Sequence, residues 1–260
     1  MKFATGRRHE LILQALAAAR FVSVTELAKR FDVSEMTIRR DLERLDTNGK
    51  LERTHGGATV LKTNGQSKVD ILEPSLDVRT YAFETNKISV ARAASNLVSP
   101  GQTIALDIGS TTGRLVHELR EMRISIYTTS VRLAAQLCDS RAMVYMPGGL
   151  VAGSEPSIIG ARAVDHLNQL NFDIAFMGAS GLSNNGLFYD YSVEDTEIKR
   201  ALIQNSHRVV MLLDSSKFNR ISVARICDGT QVDILITNQK PQDDILKNLE
   251  KCGTKILIAE

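Results

Sequence analysis

Apolar residues in the first fifty positions recur at intervals of three and four, in three short blocks, and that spacing predicts three helices. The first runs from about Arg7 to Ala18, with Ile12, Leu16 and Ala19 on one side. The second begins at Ser23, whose hydroxyl can cap it while Glu26 reaches back; Val24, Leu27, Ala28 and Phe31 form its stripe. After the short break Asp32-Val33-Ser34, Ser34 suits the N-cap of a third helix reaching about Thr47. Asn48-Gly49 ends it, because glycine accepts the left-handed conformation of a helix C-terminus. Leu51 to Val60 reads as a hairpin with Gly56-Gly57 at or near its turn. Residues 62 to about 80 keep no steady period and include Asn64-Gly65 and Glu73-Pro74, so they read as a linker.

From Thr85 onward, helical and strand patterns alternate. A helix over 85–98 precedes a strand Thr103–Asp107, and a helix over Thr112–Leu119 follows it. Further strands are predicted at Ile124–Thr128, Met143–Met146, Asp173–Met177, Val209–Leu213, Val232–Thr237 and Lys255–Ala259, with helices near 130–138, 162–170, 193–205 and 243–252. Runs such as Ile174-Ala175-Phe176-Met177 are apolar on both sides, as expected of a parallel sheet covered on both faces. The predicted class is therefore α/β: a small head of three helices and a hairpin over 1–62, a linker over 63–80, and a mostly parallel α/β domain over 81–260.

Net charge over the whole chain is only +2, but its distribution is uneven. Residues 1–62 hold 12 Lys+Arg against 8 Asp+Glu, leaving +4 there and −2 elsewhere. A basic head is consistent with phosphate contact. No apolar run approaches the roughly 20 residues that span a bilayer, and no signal-peptide core opens the chain, so a cytoplasmic protein off the membrane is expected. Cys138, Cys227 and Cys252 form no CxxC pair, and the five histidines lack ligand spacing. Neither a metal nor a cofactor is expected.

On the third helix, Ile38, Leu42 and Leu45 share a narrow sector that must pack inward. The opposite side then presents Met36, Arg40 and Glu43, flanked by Thr37, Arg39 and Arg44. Arginine can pair bidentately with guanine, and threonine can meet a phosphate or a thymine methyl, so this face suits a DNA major groove. Arg53, Thr54 and His55 stand beside Gly56 on the hairpin, where a wing can follow the phosphate backbone or enter the minor groove. In the α/β domain, Thr103–Asp107 runs into Ile108-Gly109-Ser110-Thr111-Thr112-Gly113 and a helix. Free N–H groups, hydroxyls and the helix dipole favour a phosphate there, although the loop is neither a Walker A motif nor GxGxxG. Thr129-Ser130, Gly148-Gly149, Gly178 and Asp214-Ser215-Ser216-Lys217 also follow predicted strands, at the edge where open α/β sheets bind ligands. Lys217 could neutralise a phosphate and Asp214 could hold a sugar hydroxyl.

The stretch Val33-Ser34-Glu35-Met36-Thr37-Ile38-Arg39-Arg40-Asp41-Leu42, with Leu51-Glu52-Arg53-Thr54-His55-Gly56-Gly57-Ala58, resembles the DeoR family of bacterial regulators. The resemblance implies a winged helix-turn-helix whose third helix reads operator DNA. It continues over Glu84–Lys87, Asp107–Thr112, Gly148-Gly149, Lys199-Arg200 and Asp214–Phe218, which are similar to the family's sensor domain. That domain resembles ribose-5-phosphate isomerase in fold and typically responds to phosphorylated sugars or related metabolites. Carried over, Ser110, Thr111 and Thr112 would grip the phosphate, with Lys87, Asp107, Lys199 and Lys217 around the ligand. Where the family usually has Gly-Thr-Thr, this chain has Gly109-Ser110-Thr111, and serine keeps the hydroxyl. Where Thr-Asn-Ser is usual, it has Thr128-Thr129-Ser130, and the amide is lost. The acidic residue usual four positions before the lysine is Asp195, with Glu194 beside it as the other choice.

The expected function is a DNA-binding transcriptional regulator, a repressor of carbohydrate uptake or catabolism genes that a phosphorylated sugar releases from its operator. Two-fold operators call for a homo-oligomer, and the resemblance implies a dimer or tetramer. The competing expectation is a sugar-phosphate isomerase-like enzyme with an accessory DNA-binding head, since Asp, Glu and Lys suffice for proton shuttling on a sugar.

Overall fold

The computed structural model describes residues 5–19, 21–54, 56–59, 69–70, 73, 76–153 and 155–259. They fall into two compact units, Met1–Ser67 with Glu73–Ala82, and Lys68–Leu72 with Phe83–Glu260.

In the first unit, α1 (Thr5–Ala19), α2 (Val24–Phe31) and α3 (Glu35–Thr47) enclose a core of Ile12, Leu16, Leu27, Phe31, Ile38, Leu42 and Leu45. Ser23 caps α2, accepting from the N–H of Glu26 at 3.0 Å while its hydroxyl meets the Glu26 carboxylate. Ser34 caps α3, accepting from the Thr37 N–H at 3.2 Å. Gly49, at φ 62°, closes its C-terminus. The hairpin is β2 (Glu52–Thr54) and β3 (Gly57–Thr59), paired Thr54↔Gly57, so Gly57 opens β3 directly after the turn. A third strand absent from the sequence reading, β1 (Phe21–Ser23), pairs with β3 and completes a three-stranded antiparallel sheet in the order β1-β3-β2. Within the stretch read as a linker, α4 (Leu76–Tyr81) packs against α1.

The second unit is built on seven parallel strands: β5 (Thr103–Leu106), β6 (Ser125–Thr128), β7 (Met143–Tyr145), β10 (Ile174–Met177), β13 (Val209–Leu212), β16 (Ile234–Thr237) and β17 (Lys255–Ile258). Their order across the sheet is β17-β16-β13-β10-β5-β6-β7. Alternation along each strand feeds two cores. Ile104, Leu106, Ile126, Phe176, Val210 and Ile236 face α5 (Glu84–Ser95), α6 (Ser110–Leu119) and α7 (Val131–Leu137). Ala105, Ala175, Met177, Met211 and Leu235 face α8 (Ala161–Leu167), α9 (Val193–Gln204) and α10 (Asp243–Lys251). Helices on both faces account for strands apolar on both sides.

Smaller pairings, which the sequence reading did not contain, decorate this frame. β8 (Leu150–Ala152) and β9 (Ser157–Ile159) form an antiparallel hairpin. β11 (Gly181–Leu182), β12 (Leu187–Asp190) and β15 (Ala224–Asp228) form a three-stranded sheet. β4 (Val69–Asp70) pairs with β14 (Ile221–Ser222). No described helix is long and apolar enough to cross a membrane.

Candidate functional site

In the first unit, α3 divides as its spacing requires. Ile38, Leu42 and Leu45 are buried, whereas Met36, Arg39, Arg40, Glu43 and Arg44 are exposed and Thr37 is half-buried. Arg39 lies 3.4 Å from Glu35, one turn back, and Glu35 accepts from the Thr25 hydroxyl at 2.8 Å, which holds its carboxyl below the usual range. Arg53 on β2 lies 3.9 Å from Glu43. Gly56 takes φ 92°, a conformation glycine accepts at low cost, and its carbonyl accepts from Val24, tying the wing to α2. His55 lies outside the described residues.

A contact missed in the sequence sets the pose of α3. Asp41 is buried on the helix and accepts from Arg8 of α1 through both oxygens, at 2.6 and 3.1 Å, and lies 3.0 Å from His9. Its signal was available, since Asp41 falls three after Ile38 and four before Leu45, inside the apolar sector.

In the second unit, the C-terminal ends of β5, β10 and β13 lie side by side and carry the charged residues. Asp107, directly after β5, bonds the Lys199 ammonium and accepts from the Gly178 N–H at 3.1 Å. Lys199, from α9, also donates to the Gly178 carbonyl at 3.2 Å and lies 3.2 Å from Asp190. Burial pushes the Asp107 carboxyl up to about 6, against the pull of Lys199. Burial works against the charge on Lys199, but Asp107 and Asp190 outweigh it and hold the ammonium protonated beyond its ordinary range. After β13, Asp214 commits Oδ1 to the N–H and hydroxyl of Ser216. Its Oδ2 lies 3.5 Å from Lys87 and has no hydrogen-bond partner among the described residues. Burial would raise the Asp214 carboxyl, yet Lys87 and Lys217 keep it below the usual range.

The turn after β5 leads into α6. Gly109 takes φ 133°, which disfavours any side chain, and its carbonyl accepts from the Thr112 hydroxyl at 3.0 Å. Ser110 is half-buried, while Thr111 and Thr112 are buried in the first turn of α6. After β6, Thr129 and Ser130 are buried, and Ser130 caps α7. Between the two acidic choices on α9, Asp195 accepts from Ser157 of β9 at 2.8 Å, while Glu194 is exposed. Gly148 and Gly149 are exposed at the foot of the β8–β9 hairpin. A Cβ on Gly149 would come within 2.9 Å of the Ile159 carbonyl, so close backbone approach explains that glycine. Three further residues of the site, Asp190, Arg132 and Glu155, were absent from the sequence reading. Arg132 and Glu155 meet over the Gly109 turn across 23 residues of sequence, a separation no local pattern reports.

Residues 8–64 match the DeoR-like helix-turn-helix domain, and residues 83–239 match the DeoR C terminal sensor domain. The chain belongs to the DeoR family of transcriptional regulators. It is 31% identical to the HTH-type transcriptional regulator GolR of Listeria innocua, over 97% of this chain and 98% of that one. It is 29% identical to a putative aga operon transcriptional repressor of Escherichia coli O157:H7, over 98% and 94% of the two chains. The glycerol-3-phosphate regulon repressor of Escherichia coli K12 is 28% identical over 94% of each. Among solved structures, ribose 5-phosphate isomerase A of Methanocaldococcus jannaschii matches at a TM-score of 0.40 and 23% identity, over 52% of this chain and 54% of that one. The DeoR-type head thus carries the exposed arginine face of α3, and the DeoR-type sensor carries the buried charged cluster.

Proposed function

We propose that this DeoR-family protein is a repressor of carbohydrate uptake or catabolism genes, released from operator DNA by a phosphorylated sugar or related metabolite. Arg39, Arg40 and Arg44 read and anchor on the duplex, with Met36 and Thr37 beside them, Ser34 and Glu35 at the N-terminal end of the reading helix, and Arg53, Thr54, His55 and Gly56 forming the wing. In the sensor, the Gly109–Thr112 turn takes the phosphate. The charged residues around it take the sugar, with Asp214 Oδ2 as an acceptor for a hydroxyl. The observation that carries the reading is the turn and the two buried Lys–Asp pairs gathered at one edge of the sheet. The named relatives, repressors of an aga operon and of a glycerol-3-phosphate regulon, support it by analogy. The protein acts in the cytoplasm as a homodimer or homotetramer, and the effector favours a sensor conformation whose paired heads no longer match half-site spacing.

Gel-shift titration of the chain's own promoter fragments tests this, with and without a panel of sugar monophosphates. Binding at low ionic strength that one sugar phosphate abolishes is the expected result. Indifference to every promoter fragment refutes the reading. One observation favours a sugar-phosphate isomerase-like enzyme instead: Asp107, held near 6 beside Lys199, has a proton affinity suited to acid–base work. Its oxygen is engaged by Lys199 and Gly178, which argues for a binding role. Turnover of sugar phosphates at ordinary enzyme rates would reverse that choice.

A further inference from the structure

The turn at the end of β5 already holds an anion, and that anion belongs to the protein. Glu155 lies in the loop between β8 and β9 with its side chain only 3% exposed. Its Oε1 accepts from the Gly109 N–H at 3.1 Å and from the Arg132 guanidinium at 3.1 Å. The same guanidinium donates to the Gly109 carbonyl at 3.1 Å and lies where a Cβ on Gly113 would meet it at 3.0 Å, so it lines the first turn of α6. Arg132 Nε is buried without a hydrogen-bond partner among the described residues. A buried carboxylate persists only where donors and opposite charge replace water. The backbone N–H, the guanidinium and the α6 N-terminus supply both.

We propose that Glu155 is a resident substitute for the effector's phosphate, and that Arg132 reads that phosphate once Glu155 leaves. This rests on the reading of the Gly109–Thr112 turn as the phosphate seat. A phosphate monoester brings more charge and more acceptor oxygens than one carboxylate, and a guanidinium can take two of them at once. An uncharged sugar cannot displace Glu155, so the exchange selects phosphorylated ligands over their parents. It also links the seat to the β8–β9 hairpin. The Glu155 loop is fastened to the turn after β6 by Val131 N–H to the Pro156 carbonyl at 3.1 Å and Ile158 N–H to the Thr129 carbonyl at 2.8 Å. Ser157 ties it to Asp195 on α9. Expelling Glu155 therefore loosens the β8–β9 hairpin, whose Leu150 and Val151 are exposed.

The test titrates inorganic phosphate into the full chain by calorimetry at constant ionic strength, comparing the wild type with Glu155→Gln and Arg132→Gln. The Glu155→Gln side chain keeps an acceptor for the Gly109 N–H but not the competing charge. We expect phosphate to bind Glu155→Gln about tenfold or more tightly than the wild type, and Arg132→Gln at least tenfold more weakly. Hydrogen exchange on the wild type supplies a readout independent of any variant: phosphate raises exchange over 150–159. Phosphate binding to the wild type with no gain in Glu155→Gln, no loss in Arg132→Gln, or no change in exchange over 150–159 overturns the substitution mechanism and leaves the phosphate seat standing. If no form of the protein binds phosphate, both fall.

Discussion

Replacing Asp41 by Asn asks whether α3 is held by the core alone or by its buried ion pair. Asn keeps the shape of Asp and removes its charge, leaving the Arg8 guanidinium without the carboxylate it meets at 2.6 and 3.1 Å. The two side chains are 8% and 5% exposed, so solvent cannot take over the lost charge without opening the α1–α3 contact. Breaking one side of a buried pair costs about 3–5 kcal/mol. A unit of this size is stable by roughly 4–11 kcal/mol, so the substitution removes a large part of what keeps α3 in place. The matched double variant Arg8→Met/Asp41→Leu removes both charges and their desolvation penalty, and should recover most of the loss. Hydrogen exchange over α1 and α3, followed by guanidinium denaturation, measures both changes, with exchange in the seven-stranded sheet as internal reference. Operator affinity should fall with the stability of Asp41→Asn and return in the double variant. A loss below about 1 kcal/mol for Asp41→Asn, or a double variant no better than the single one, refutes the claim that the pair is held out of water.

Three other changes probe the two sites. Arg40→Ala should weaken operator binding by roughly 1–3 kcal/mol in a gel shift if Arg40 reads a base, and an unchanged affinity removes it from the readers. Thr111→Val should leave DNA affinity intact and abolish effector-induced release; normal release excludes the Thr111 hydroxyl as a necessary phosphate contact. The third concerns pH. A carboxyl raised from 3.8 to about 6 binds its proton more tightly in the folded state, so Asp107 favours folding below about 3.8 and loses that contribution as pH rises through about 6. Asp107→Asn should therefore flatten the fall in stability of the sensor unit between those values; denaturation curves at pH 4, 5, 6 and 7 that run parallel for the two proteins contradict it.

Most of the frame of both units was legible because it obeys a period. The seven strands of the large sheet were visible as apolar runs, and Ser23 and Ser34 announced the helices they cap. Several short strands were not. β1, β11 and β14 are two or three residues long and owe their existence to a neighbouring strand, which no window along the chain contains. The charged residues divide in the same way. Lys87, Asp107 and Lys199 were found through resemblance and Asp214 through its place after a predicted strand, while Asp190, Arg132 and Glu155 follow from long-range packing.

Yet two of the buried charges carried a signal that periodicity alone exposes. Asp41 sits among Ile38, Leu42 and Leu45, and Lys87 lies three residues before Val90 and four before Ala91 on α5. A charge inside an apolar stripe must either flip the helix or find a buried partner, because leaving it unpaired costs more than most core contacts return. In both units the partner comes from another element: Arg8 of α1 for Asp41, and Asp214 after β13 for Lys87. Each pair therefore fixes the pose of a helix where shape alone would permit sliding by a fraction of a turn. On α3 that pose aims the exposed arginines; on α5 it sets Lys87 at the sheet edge proposed above to take the sugar. The sequence feature worth reading was thus the misfit in the pattern, since that is where the fold is obliged to specify a single arrangement.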